Sequence, residues 1–154
     1  MIDTNVWCMP DGEHTTEDAI ACAETCRVWL NHLYHGEQQI VVDDGYVILG
    51  EYRDNLRKGR FAWRLLNELE KAQKYRFTFV SIQVDRNGIA VLPLAGGLEG
   101  IHKNDRKFVA VALARDPHPP IVNATDNDWR QHAPAFAALG IYIEELCPDF
   151  LKST

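Results

Sequence analysis

What this 154-residue chain lacks narrows it first. No apolar run is long enough to cross a bilayer, because the longest are of strand length or are broken by charge. There is no excess of basic residues: 16 Lys and Arg face 22 Asp and Glu, for a formal net charge of -6. A general polyanion binder is thereby excluded, and any nucleic-acid contact has to use a local basic patch. Repeats and low-complexity tracts are absent, which argues against solenoid and disordered classes. Cysteine is sparse (Cys8, Cys22, Cys26 and Cys147), and a charged, polar run begins at Asp3 where a secretory leader would stay apolar. The expectation is a cytoplasmic protein with reduced thiols and no membrane segment. The length predicts one domain over residues 1–154, large enough to bury its own core.

Short apolar runs alternate with amphipathic stretches, the pattern of βαβ units around a mostly parallel sheet. A minimal strand is expected near Met1–Asp3, then a loop with Pro10, Asp11 and Gly12. Thr15 or Thr16 should cap a helix over 17–35 that stops at Gly36. Ile40–Val42 reads as a buried strand, and Asp43-Asp44-Gly45 as the turn into a second helix ending near Gly59. A third helix is expected over 60–75, with Phe61, Leu65, Leu66 and Leu69 on one side. Two β-rich runs flank Asp85-Arg86-Asn87-Gly88, which predicts a β-hairpin insertion or edge over Phe77–Leu94, followed by a flexible Ala95-Gly96-Gly97 link. A helix over 101–115 ends before Pro117, and strands follow at Ile121–Asn123 and Ile141–Ile143. Between them Asp128 and Gln131 resemble a capping box for a helix running to Gly140.

Four acids stand out by position. Asp3 and Asp126 fall at or just past the carboxyl ends of two strands, the rim where open α/β sheets bind ligands. Glu51 lies inside the apolar stripe of Val47, Ile48, Tyr52 and Leu56, and Asp105 inside that of Ile101, Phe108, Val109 and Ala112. A lone buried carboxylate is costly unless it is paired or binds a metal. Helix starts point to the strand carboxyl ends in βαβ units, so all four should share one rim. Converging carboxylates repel, and a hard divalent cation, Mg2+ or Mn2+, relieves the repulsion. Such a cation also acidifies water and neutralises a phosphate, which is the chemistry of phosphodiester hydrolysis.

Ile2-Asp3-Thr4-Asn5, the in-helix Glu51, Asn104-Asp105 before Phe108–Ala112, and Ala124-Thr125-Asp126-Asn127-Asp128-Trp129 together resemble the PIN-domain nucleases, including ribonuclease toxins of VapC type. The match in order and spacing covers nearly the whole chain. The resemblance implies a three-layer α/β/α sandwich and a Mg2+- or Mn2+-dependent endoribonuclease that leaves a 5′-phosphate. It also implies that Asn5 orients Asp3 or a metal-bound water, and that Asp128 serves as a fifth acid near the metal. Partners consistent with it are an RNA substrate, a cognate antitoxin protein and a second copy of the chain. The chain departs from the family pattern at Ala124, where a hydroxyl residue is common, in its very short first strand, and in the Phe77–Leu94 hairpin.

Arg53, Arg57, Lys103 and Arg106 flank two of the acids and are candidates to grip an RNA backbone. Lys58, Arg60 and Lys107 lie in the same runs, and for any one of these cations a solvated helix face is the plainer expectation. Asp128 reads as a helix cap first and a metal neighbour second. Cys22 and Cys26, one helical turn apart and upstream of His32 and His35, do not have a zinc-site spacing and read as core. Two rival functions remain. One is a catalytically weak PIN-like module that binds RNA or protein. The other is a phosphatase with Asp3 as nucleophile, which would want an acid at position 5, where this chain has Asn5.

Overall fold

In the computed structural model, which describes residues 1–93 and 97–150, helices alternate with short strands that pair in parallel. Strand β1 (Ile40–Asp43) pairs with β2 (Phe77–Val80), Ile40 opposite Phe77. Strand β3 (Ile121–Asn123) pairs with β4 (Ile143–Glu145), Ile121 opposite Ile143. On the other side of β3, Ile2 forms a parallel bridge with Val122, and the Asp3 amide donates to the Val122 carbonyl at 2.9 Å. The parallel sense carries Asp3, Asn123 and Glu145 to the same edge. The mixed α/β character read from the pattern is the one the chain adopts. β1 and β3 are buried along their whole length, including the polar residues Asp43 and Asn123 that end them.

The helices start and stop where local chemistry dictates. Helix α1 (Thr4–Cys8) begins because the Asp3 side chain accepts the Asn5 amide. Helix α2 (Glu17–His35) is capped by Thr16 and followed by Gly36 as expected, and the Arg76 guanidinium donates to the carbonyls of Leu33, Tyr34 and Gly36 at its end. Asp43, fully buried at the end of β1, accepts the amides of Val47 and Ile48 at 2.8 Å each and so starts α3 (Val47–Asn55). Asp11 takes the amides of Phe61 and Ala62 and starts α4 (Phe61–Lys71), whose Ala62, Leu65, Leu66 and Leu69 are buried. The Tyr52 hydroxyl donates to the Ile2 carbonyl, which fastens α3 to the first strand segment.

Several expectations are corrected. The Pro10–Gly12 stretch is no simple loop: α1, started by Asp3, runs directly into a 3-10 turn over Met9–Asp11 that ends at Gly12. The helix expected over 60–75 breaks at Ala72 into α4 and α5 (Gln73–Arg76). Phe77–Val80 is not a hairpin arm but a parallel strand on β1. The antiparallel turn is confined to its neighbourhood beyond, where Val84 bridges Ala90 and the Asp85 carboxylate takes the amides of Asn87 and Ile89. Leu94 and the Ala95-Gly96 part of the expected link lie outside the described residues. The helix expected from 101 begins later, as α6 (Arg106–Leu113), because residues 98–105 close successive turns first. The helix expected from Asp128 to Gly140 splits at His132 into α7 (Asp128–Gln131) and α8 (Ala133–Ala138). Asp128 forms no capping box: Asn127 holds the cap position, and the Asp128 amide goes to Asp126 Oδ1. The last strand sits two residues beyond Ile141–Ile143.

The reduced-thiol expectation also falls. Cys22 of α2 and Cys147, just past β4, form a disulfide with their Cα atoms 5.4 Å apart. Cys8 and Cys26 stay free. Cys26 is buried beside the bridge, and that burial pushes its thiol up to about 12. Residues 125 positions apart share no local spacing signal, so only the packing of α2 against the chain after β4 brings these sulfurs together. No helix among the described residues is long and apolar enough to cross a membrane.

Candidate metal centre

Three of the expected acids, counting the fifth, meet at one point. One oxygen each from Asp105, Asp126 and Asp128 lies within 4.8 Å of the others. Asp105 sits immediately before α6, in its N-cap position rather than inside its first turns. Asp126 and Asp128 stand on the loop after β3 and at the start of α7. Asp3, expected in the same cluster, is not one of the three converging carboxylates; it lies buried on the segment bridged to β3, where the charges of Asp126 and Asp105 act on it.

Asp3 is 6% exposed. Its Oδ2 accepts the indole N–H of buried Trp129 at 2.6 Å and its Oδ1 the Asn5 amide at 3.1 Å. Burial pushes its carboxyl up to about 7; those two hydrogen bonds oppose the rise, and the charges of Asp126 and Asp105 add to it. Asp105 is pushed up to about 6, again mainly by burial and then by Asp126, with Lys107 and His102 pulling the other way. His102 Nδ1 stands 4.0 Å from Asp105 Oδ2. An oxygen-only donor set this close fits a hard divalent cation.

Glu51 is where expected along α3 but already has partners. Lys107 Nζ lies 2.6 Å from its Oε2, and the Thr4 hydroxyl donates to its Oε1. Lys107 is itself buried, donates to the Asn104 carbonyl, and lies over the Phe108 ring. This is the arrangement of a paired carboxylate rather than a free ligand. Its origin is α6: Lys107 is two residues past Asp105 and points back under α3.

Asn5 orients Asp3 through its backbone amide, while its side chain serves the Asp126 loop. Its amide nitrogen donates to Asn123 Oδ1 at 3.0 Å, and its Oδ1 accepts the Ala124 amide at 2.9 Å. Asn123, fully buried at the end of β3, completes the lattice: its Oδ1 accepts the Asp126 amide and its Nδ2 donates to the Asp126 carbonyl. The two asparagines therefore hold the loop that presents Asp126. Asn123 and Trp129 were not singled out for these roles. A buried asparagine ending an otherwise apolar strand was the available signal, since such a group needs partners.

The basic candidates divide. Arg53 pairs with Glu70 and Arg57 with Glu13, and Arg106 donates through Nε to the Ile101 carbonyl. Arg53 on α3 is thus engaged by Glu70, whereas the Arg57–Glu13 pair is a loose contact on the exposed surface. Lys103 lines a cavity of about 540 Å3 that Glu51 and Lys107 also border. Comparison of the chain with protein-family models, with curated proteins and with solved structures finds no match.

Proposed function

We propose that the protein is a Mg2+- or Mn2+-dependent endoribonuclease built as a PIN-like three-layer α/β/α sandwich. The carrying observation is the meeting of Asp105, Asp126 and Asp128, with the charges of Asp126 and Asp105 acting on the buried carboxyl of Asp3. In this reading Asp105, Asp126 and Asp128 hold the cation. Asp3, fixed by Trp129 and the Asn5 amide, supplies the inner face of the site. Asn5 and Asn123 keep the Asp126 loop in place. The cation supplies charge neutralisation at the phosphate and a more acidic water. The reaction is in-line hydrolysis that leaves a 5′-phosphate.

The weakly catalytic binding module is supported by one observation, the engagement of Glu51 by Lys107, which removes one acid from the free set. The phosphatase reading is weaker: Asp3 is buried with both oxygens in hydrogen bonds, a poor position for a nucleophile. Purified protein incubated with a mixed single-stranded RNA pool and Mn2+ separates the readings. The nuclease cuts, stops with EDTA, and loses at least ~100-fold in rate in Asp126→Asn while keeping its circular dichroism spectrum. Unchanged cutting in Asp126→Asn, or no cutting by the unaltered chain, overturns the proposal.

A further inference from the structure

The turn after β2 has no part in the metal centre, yet it walls the cavity beside it. Asn87, Gly88, Ile89 and Ala90 form one side, Val47 and Glu51 of α3 another, and the Lys103–Lys107 segment the floor. We infer that this cavity is a nucleotide subsite, which receives the residue of a single-stranded RNA next to the scissile phosphate. The inference rests on the nuclease reading for the placing of that phosphate.

Size, charge and position agree. About 540 Å3 lies within the range of small-ligand pockets and accommodates one nucleotide. Two ammonium groups reach the cavity, and Glu51 neutralises one of them. Lys103 is exposed and makes no salt bridge among the described residues, so the floor keeps a net positive charge in an otherwise acidic chain. That leaves the Lys103 ammonium to meet a phosphate. Val47 and Ile89 offer apolar contact to a base. The wall is firm, because the Asp85 carboxylate accepts the amides of Asn87 and Ile89 and the Gly88 amide donates to the Asp85 carbonyl. Gly88 has a φ of 76° and open space where a Cβ would stand, so a base or sugar can approach its backbone closely. Asn104 borders the cavity and directly precedes Asp105 of the acid cluster, so the cavity adjoins the candidate cation site.

The test uses the full chain and a short fluorescein-labelled single-stranded RNA in EDTA, where nothing is cut. By anisotropy, Lys103→Glu should weaken binding at least ~10-fold, Lys103→Arg should restore it, and the salt slope should fall by about one in Lys103→Glu. Photocrosslinks from 4-thiouridine in the bound RNA should map to residues 85–90. Mn2+ titration of Lys103→Gln, which adds no carboxylate beside Asp105, should match the unaltered chain, which separates this site from the metal centre. Unchanged RNA affinity in Lys103→Glu, or crosslinks that avoid the turn, overturns the subsite. Crosslinks at the turn with no cleavage under Mn2+ would instead sink the nuclease reading and leave the subsite standing.

Discussion

Lys107 Nζ lies 2.6 Å from Glu51 Oε2, so one of the four acids expected to hold the cation is matched by a cation of the protein's own. The pair is largely withdrawn from solvent, with side-chain exposures of 7% and 29%. Neutralising Glu51 would therefore remove little from the cation's donor set. Glu51→Gln should lower Mn2+ affinity by less than ~10-fold, whereas Asp126→Asn should lower it by ~10-fold or more. Calorimetric titration of both variants measures the ranking. Equal losses would show that Glu51 leaves Lys107 for the ion.

Protonation gives a second prediction, for the metal-free chain. Asp3 is raised from 3.8 to about 7 and Asp105 from 3.8 to about 6, both chiefly by burial. The folded state then holds more protons than the unfolded state between these values. Stability from these groups is fully present below about 3.8 and is lost as pH rises through 6 and then 7. For Asp3 the loss is on the order of a few kcal/mol. Urea unfolding in EDTA at a series of pH values should show this decline, and Asp3→Asn should flatten it. Mn2+ should raise the melting temperature more at pH 8 than at pH 5, since it takes the place of the protons. Equal slopes in Asp3→Asn and the unaltered chain would refute the assignment.

The Cys22–Cys147 disulfide closes a loop across 125 positions. In the chain-entropy account a loop of this length contributes about 4 to 5 kcal/mol. Cys147→Ser, or a dithiol reductant, should lower the urea midpoint accordingly. Beyond β4 the chain would then be held by contacts such as the 2.8 Å hydrogen bond from the Leu146 amide to the Asn123 carbonyl. Thiol titration of the denatured, unreduced chain should find Cys8 and Cys26 alone, and all the cysteines after reduction. Four reactive thiols before reduction would remove the bridge. In a reducing compartment the pair would be thiols.

Local chemistry was legible where neighbours in sequence decide the outcome. Thr16 and Gly36 bracket α2 as expected, because a cap and a stop act within one turn. Ile40–Val42 and Ile121–Asn123 are strands because short apolar runs this dense are buried on both faces. Asp105 and Asp126 could be placed at one rim from strand ends and helix starts alone. The turn at Asp85–Gly88 was visible too, but Phe77–Val80 was assigned to it wrongly. Its β propensity does not say whether the partner is the next run or β1, and tertiary contact chose β1.

By itself the sequence determined the alternating α/β order, the burial of its apolar runs, and the presence of acids where strands end, since each follows from spacing and side-chain chemistry. The tertiary structure alone decided which partner each charged group takes. Lys107 turned to Glu51, Trp129 to Asp3, Arg53 to Glu70, and Cys147 to Cys22. Those choices depend on distances between residues far apart in the chain. Electrostatic and covalent pairing is settled over a few ångströms, a scale that exists only once the helices have packed on the strands.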